Sequence, residues 1–405
     1  MLRFLTLLLV LLTQLYTAAG KQKLVETQLA KYGPLDEKSV AQTLEKAIAD
    51  INGKRLILPP IKIDTENIII EGKSHFAIVG NREEPVCCRR FKVVNCHDFD
   101  LSCLYLKGTK AKFTTFDIIG NCYNFYVHNC RFDSEKGADG HNTFYGIHII
   151  TDTHFGKNNY ENSPRNFRIY ANEVNNTRYD GILAHAYCSD FVIEKNRIVG
   201  AECIGIEVEG RLGGLKNTTV HPCKNVTIRN NEMIDCGDWG VLLMWTDGVK
   251  VCKNNCVNSF GAFLSIGCTN LVVKNNVFEG RNKGFEISQE FYKVSNGINS
   301  HVKVVGNTVK AKARGENRGV LDIRHARNIE VKKNKITSLY RDNTAYVSLA
   351  SCQDVIIRKN KFSFEGQPLS NLIYKINTPD PETHKDILDL NLTNVIVQKI
   401  EIKDK

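Results

Sequence analysis

Ile228-Arg229-Asn230-Asn231-Glu232-Met233, Val251-Cys252-Lys253-Asn254-Asn255-Cys256 and Val273-Lys274-Asn275-Asn276-Val277-Phe278 are three copies of one phrase: a β-branched residue, two arbitrary residues, Asn, one arbitrary residue and an apolar one. The phrase recurs at Ile169/Asn172/Val174, Ile193/Asn196/Ile198, Val304/Asn307/Val309, Val331/Asn334/Ile336 and Ile357/Asn360/Phe362, and successive Asn residues lie 24, 35, 23, 22, 31, 27 and 26 positions apart. This is a base period of about 22 to 26 residues with insertions, the spacing of a solenoid. A second phrase precedes most copies, a Gly followed by period-two alternation: Gly146-Ile147-His148-Ile149, Gly181-Ile182-Leu183-Ala184, Gly205-Ile206-Glu207-Val208, Gly240-Val241-Leu242-Leu243, Gly261-Ala262-Phe263-Leu264 and Gly284-Phe285-Glu286-Ile287. Each repeat therefore holds two or three short strands and no segment of helix length.

A unit of that size cannot bury an apolar face alone. Stacking copies at about 4.8 Å does so and aligns equivalent residues into ladders. An inward Asn amide at each tight turn can then bond both to backbone and to the Asn of the next coil. Cysteine recurs in turns shortly before the strand leading to the Asn, at Cys96, Cys122, Cys188, Cys223, Cys268 and Cys352. The reading is a small inward apolar residue; Cys96/Cys122 and Cys188/Cys223 sit in neighbouring coils and are the pairs to test for disulfides. Leucine-rich repeats need a Leu-x-x-Leu-x-Leu frame and propellers a four-stranded blade of about 40 residues. Neither pattern is present.

Working outward, Asp36 or Ser39 is placed to cap a helix with apolar face Val40, Leu44, Ala47, Ile48 and Ile51, ended by Gly53. It would plug the N-terminal end of the solenoid. The expected architecture is all-β: one single-stranded right-handed parallel β-helix with an N-terminal capping helix (about 36–53), coils over about 55–365 and a C-terminal cap over about 366–405. Residues 1–20 combine Arg3, an apolar run from Phe4 to Leu15 and Ala18-Ala19-Gly20, the three parts of a secretory signal peptide. The expectation is a secreted or periplasmic chain over 21–405, without a membrane span and monomeric. The formal net charge of +10 on 405 residues favours a polyanionic partner, and an acidic polysaccharide suits an exported protein better than nucleic acid.

The Asn-turn repeats preceded by a short helix resemble the pectin-lyase-like superfamily of right-handed parallel β-helices. That resemblance implies the fold; for function it leaves open lyases, hydrolases, epimerases, tailspikes and adhesins.

In a solenoid, ligands lie across outward faces of neighbouring coils, walled by insertions. The insertions His154 to Arg165, Arg211 to Lys224 and Glu290 to His301 follow Gly-led strands, so the outward face of those strands should floor a groove. Alternation places His148, His185, Glu207 and Glu209 on that face, with Trp245 near the end of the next strand and Asp180 and Arg211 flanking. His185, Glu207 and Glu209 are the catalytic candidates: a carboxyl or imidazole exchanging a proton at a glycosidic carbon or at C5 of a uronate. The alternative chemistry is a calcium ion on Glu207 and Glu209 that neutralises a uronate carboxylate. His148, Asp180, Arg211 and Trp245 are assigned to substrate binding. So are Lys293, Arg324 and His325, because Glu286, Lys293 and Arg324-His325 resemble the alginate and chondroitin lyase family, in which a strand with calcium-ligating Glu and a Lys base precedes an Arg-His pair.

A basic stripe, Arg168, Arg229, Lys250, Lys274, Lys303, Lys332 and Arg358, is expected on the strand leading to the Asn, broken by Glu194. The functional expectation is a polysaccharide lyase or glycoside hydrolase acting on a uronate-containing polymer. The rival is a non-catalytic β-helix for glycan binding or surface adhesion, dependent on the stripe.

Overall fold

The computed structural model describes residues 23–108, 113–135, 142–152, 160–210, 220–288, 298–311, 319–339, 345–365, 373–376, 393–398 and 401–403. Each full coil is built of three strands: a Gly-led groove strand, a ladder strand that runs up to the Asn, and a short closing strand after it. In one coil these are Ile182–His185, Ser189–Glu194 and Arg197–Val199. Each pairs in parallel with its equivalent in the next coil, Ile206–Glu209, Cys223–Arg229 and Glu232–Ile234. The molecule is a parallel β-helix, and the period read from the Asn spacing is the length of one turn of it.

Corners in the left-handed backbone region keep the strands short and make the chain turn. The residue before the ladder Asn is one: Ala171, Lys195, Asn230, Lys253, Asn275, Lys333 and Lys359 have φ of 54–57°. The residue four beyond that Asn is another, at Asn176, Gly200, Asp235 and Asn258. Asn, Asp and Gly adopt this conformation most readily, which accounts for their abundance between strands. The Gly that opens a groove strand has a different cause. A Cβ on Gly205 would stand 2.6 Å from the Gly240 carbonyl oxygen of the next coil, so close backbone approach excludes any side chain there.

The core is a set of ladders. From Asn172 to Asn334 each ladder Asn donates its backbone N–H and its Nδ2 to the Oδ1 of the Asn one coil on, at 2.8–3.0 Å. Nδ2 also donates to a carbonyl of the preceding coil, as from Asn196 to Ile169 and from Asn254 to Ile228 at 2.9 Å. Cys130 occupies the rung before Asn172 and donates its backbone N–H to Asn172 Oδ1 at 2.9 Å. Phe76, Phe99, Phe125, Phe167 and Phe191 stack along the axis with centroids 5.3, 4.8, 4.7 and 4.5 Å apart. Each such ring contributes about 1.5–3 kcal/mol by leaving water.

All fourteen cysteines fall among the described residues and are free thiols. Cys122, Cys188, Cys223 and Cys268 are fully buried, and burial pushes the Cys96 and Cys268 thiols up to about 11. The pairs singled out for cross-linking are not bonded: the Cys96 backbone N–H donates to Cys122 Sγ at 3.4 Å, and the Cys188 and Cys223 thiols donate to backbone carbonyls, Cys188 to Ile149 at 3.8 Å and Cys223 to His185 at 3.4 Å. A large packed core removes the need for covalent staples.

The helix spans Val40–Ala49 and buries Val40, Thr43, Leu44, Ala47 and Ile48. Asp36 Oδ1 accepts the Lys38 and Ser39 backbone N–H groups at 3.1 Å, whereas Ser39, the N-cap position, makes no side-chain cap bond. Ahead of it lies a strand, Val25–Gln28, pairing with Lys54–Ile57; its four residues carry too little pattern to be read from sequence. At the other end, within the expected C-terminal cap, lie two strands, Thr393–Gln398 and Glu401–Lys403. The leader at 1–20, Arg211, Lys293 and most of the C-terminal cap lie outside the described residues. Among those described, no helix is long and apolar enough to cross a membrane.

Candidate active site

The groove strands set the site by register. His148 opposes Asp117 in the preceding coil and Leu183 in the next; Leu183 opposes Glu207, and His185 opposes Glu209. The parallel stack thus turns residues up to 92 positions apart, Asp117 to Glu209, into neighbours along one outward face.

Their side chains form a continuous chain of contacts. Asp117 Oδ1 is 3.1 Å from His148 Nδ1, His148 Nε2 is 3.3 Å from His185 Nδ1, and His185 Nε2 is 3.0 Å from Glu209 Oε2. Two carboxyl groups are thereby linked through two imidazoles, each of which can both donate and accept a proton. Burial pushes the His148 imidazole towards neutrality although Asp117 opposes it. Neutral His148 can donate from Nδ1 to Asp117 and accept at Nε2 from His185, and His185 Nε2 then faces the Glu209 carboxyl at 3.0 Å.

A pair of carboxyl groups lies alongside. Asp180 is 3% exposed; it hydrogen-bonds to the Glu207 carboxyl and accepts the Ile204 backbone N–H at 3.2 Å. Burial pushes Asp180 up to about 6, with the charge of Glu209 adding to the rise and the Glu207, Ile204 and His185 contacts opposing it. Two carboxyl groups in contact cannot both ionise cheaply, so one proton is retained between them. The Tyr145 hydroxyl, pushed up by burial and by the charges of Asp180 and Glu207, stays a neutral donor. Its ring lies 4.9 Å from that of His148 and 5.7 Å from that of Tyr179 at the rim.

The raised Asp180 has a stability signature. Between its ordinary value of 3.8 and about 6 the folded state keeps a proton that the unfolded chain releases, so stability falls as pH rises through that window and stays lowered above it. Asp180→Asn preserves the acceptor for Ile204 N–H and removes the titration. Thermal unfolding is expected to show a higher Tm than the parent above pH 6 and no gain at pH 4. An unchanged pH dependence in the variant would refute the burial account.

The sequence-derived candidates divide. His148, His185, Asp180, Glu207 and Glu209 are brought together. Trp245, expected to bind substrate, is 2% exposed and packs with Ile204, Trp239, Leu242, Met244 and Ile266 in an apolar cluster separate from the main core. This cluster bounds the site on the side of the next coils with water-excluding surface. The Lys293 region is outside the described residues, and Glu286 Oε2 instead meets Lys283 Nζ at 3.2 Å. Arg324 and His325 are 2% and 0% exposed, with Arg324 Nε held 3.0 Å from both Asp322 oxygens. Both side chains are under cover, and Arg324 is held in an ion pair with Asp322. Asp117 and Tyr145 were not anticipated; Asp117 belongs to a strand without a leading Gly, Phe116–Ile119, and so lacks the phrase that marked the others.

Calcium fits the donor set poorly. The ion takes six to eight oxygens, but Glu209 is engaged by an imidazole and Glu207 by a proton-sharing carboxyl. Among the described residues neither belongs to a group of three converging ligands. The expected basic stripe is also altered. Register places Arg229, Lys274, Lys332 and Arg358 in one column and Arg168, Lys250 and Lys303 in another. Glu194 pairs with Arg168 and Arg229, and Glu330 with Lys332 and Arg358, so no unbroken row of like charge exists.

Comparison with known proteins agrees with the fold. A family model described as the right handed beta helix region matches residues 212–336. The A-module of a mannuronan C-5 epimerase from Azotobacter vinelandii superposes with a TM-score of 0.60 at 12% identity, covering 93% of this chain and 99% of that one. DFA-IIIase from Arthrobacter chlorophenolicus A6, without its lid and in complex with GF2, gives a TM-score of 0.54 at 14% identity over 95% of this chain and 99% of that one. No match was found among curated proteins. The architecture is that of the right-handed parallel β-helix proteins, as the resemblance to the pectin-lyase-like superfamily implied.

Proposed function

We propose that the protein is an exported carbohydrate-active enzyme that cleaves a uronate-containing polysaccharide by acid–base catalysis across the Asp117 to Glu209 face. The observation that carries this reading is the convergence, in adjacent coils of one outward face, of an imidazole–carboxyl pair, His185 with Glu209, and a carboxyl–carboxyl pair, Asp180 with Glu207. Groups poised to give and retake a proton are what glycosidic cleavage requires.

In this mechanism His185, backed by Glu209, delivers its proton to the departing glycosidic oxygen. The Glu207 carboxyl, exchanging its proton with Asp180, takes one from C5 of the uronate in an elimination or from water in a hydrolysis. Asp117 and His148 hold the His185 ring in orientation. Tyr145 offers a neutral hydroxyl to the substrate, and Tyr179 at the rim a ring face for stacking. No step requires a metal. The formal charge of +10 favours an acidic polymer, and one structural neighbour is by name an epimerase of mannuronan. Pairing of four of the seven stripe cations with Glu194 and Glu330 weighs against the binder reading, which depended on an unbroken stripe.

The purified chain is to be incubated with a panel of uronate and neutral polysaccharides, following ultraviolet absorbance of unsaturated products and reducing ends in parallel. Cleavage of at least one uronate polymer, undiminished by a chelator, is expected. Absorbance with reducing ends identifies elimination, and reducing ends alone identify hydrolysis. Binding without cleavage across the panel would overturn the enzyme reading in favour of a glycan-binding protein.

A further inference from the structure

We infer that His75, His97 and Asp98 form a binding site for a transition-metal ion, with Zn²⁺ the best fit, that clips together two successive coils near the N-terminal end. The site is separate from the groove and independent of the proposed catalysis. Ser74 opposes His97 in the parallel register, which sets His75 opposite Asp98. Both stand at the corner that opens the ladder strand, with φ of 52° and 53°, so their side chains leave the coil surface side by side.

The three ligand atoms lie within 4.8 Å of one another. Asp98 Oδ2 is 2.7 Å from His97 Nδ1 and 3.7 Å from His75 Nε2. A tetrahedral ion with bonds of about 2.0–2.1 Å sets its ligands about 3.3–3.4 Å apart, and the two distances bracket that value. Small rotations of exposed side chains close the difference.

The ligands are also held in orientation. Asn124, at the same corner one coil on, donates Nδ2 to Asp98 Oδ1 at 2.9 Å, leaving Oδ2 towards the imidazoles. The His97 ring stacks on Tyr123 at 4.7 Å and 2°, and the Arg165 guanidinium covers the Tyr123 ring at 4.6 Å. At other corners the equivalent contacts are amide to carboxylate, Asn225 to Asp190 and Asn270 to Asp247. Among the described residues, two imidazoles and a carboxylate converge at this corner and at no other. Two imidazoles with one carboxylate suit Zn²⁺, Cu²⁺ or Ni²⁺ and not a hard oxygen-seeking cation. With side-chain exposures of 48% for His75 and 33% for Asp98, the remaining position is open to water and the ion exchangeable.

Chelator-stripped full-length protein is to be titrated with ZnCl₂ by calorimetry, beside His75→Gln, His97→Gln, Asn124→Ala and His185→Gln. The parent and His185→Gln are expected to take up one equivalent more than His75→Gln and His97→Gln, and Asn124→Ala to bind at that site about tenfold more weakly. Zn²⁺ should raise the Tm of the parent and not of His75→Gln, an exposed change that leaves folding intact. Cu²⁺ spectra should show coupling to two nitrogens in the parent and to one in His75→Gln. Equal stoichiometry and affinity in the parent and His75→Gln, or no Zn²⁺ uptake by the parent at 0.1 mM, would overturn the assignment and leave His97 and Asp98 as a simple hydrogen-bonded pair.

Discussion

Glu209→Gln is expected to lower turnover on the cleaved polysaccharide by roughly 10²–10⁴-fold, the usual worth of one general acid or base, while the protein stays folded. The Gln carbonyl can still accept from His185 Nε2–H across the 3.0 Å gap, so the ring keeps its place. What is lost is the carboxylate that can back a proton on His185. Glu207→Gln should cost a similar factor, because an amide cannot exchange a proton with Asp180. Initial rates at saturating polymer, with far-ultraviolet circular dichroism as the check on folding, measure both. If either variant retains the parental rate, the assignment of the site fails; loss of activity together with loss of the β-helix spectrum would place the residue in stability instead.

Asn254→Leu should lower unfolding free energy by roughly 2–6 kcal/mol, from two orphaned buried donors at about 1–3 kcal/mol each. Asn254 Oδ1 accepts both the backbone N–H and the Nδ2 of Asn231, at 3.0 and 2.9 Å. Neither donor has room to reach water, since Asn231 and Asn254 are each 1% exposed. Asn172→Leu is the internal control. Its Oδ1 accepts the backbone N–H of Cys130 from the rung before it, where no amide side chain stands, so about half the loss is expected. Urea unfolding followed by circular dichroism compares the two; a cost for Asn172→Leu equal to or above that for Asn254→Leu would contradict the ladder as the source of stability.

Legibility differed between ladder and site for a reason that individual residues make plain. The Asn phrase could be read because one geometric demand, an amide bonded along the axis, repeats in every coil and therefore repeats in the letters. His148, His185, Glu207 and Glu209 could be named because alternation after a leading Gly settles which side chains face outward. Alternation is silent about what they meet. That Asp117 completes the histidine chain and that Asp180 lies against Glu207 depend on which residues the coils set opposite one another, and insertions of variable length hide that register. The same uncertainty made a single row of the basic residues, which fall in two columns, four of the seven being paired with Glu194 or Glu330. Arg324, His325 and Trp245 show the complementary failure: an outward position is not an exposed one when neighbouring structure covers it.

From the letters alone came the solenoid, its period, its capping helix and a candidate face for chemistry, because each follows from a local requirement that the chain must meet again at every turn. The contacts of His148 and His185 with Asp117 and Glu209, the burial that lifts Asp180, the pairing of part of the positive charge and the His75, His97 and Asp98 cluster were decided by the stacking of coils. Proton affinity and ligand geometry depend on groups a few ångströms away in space, and in this protein those groups stand up to tens of residues away along the chain.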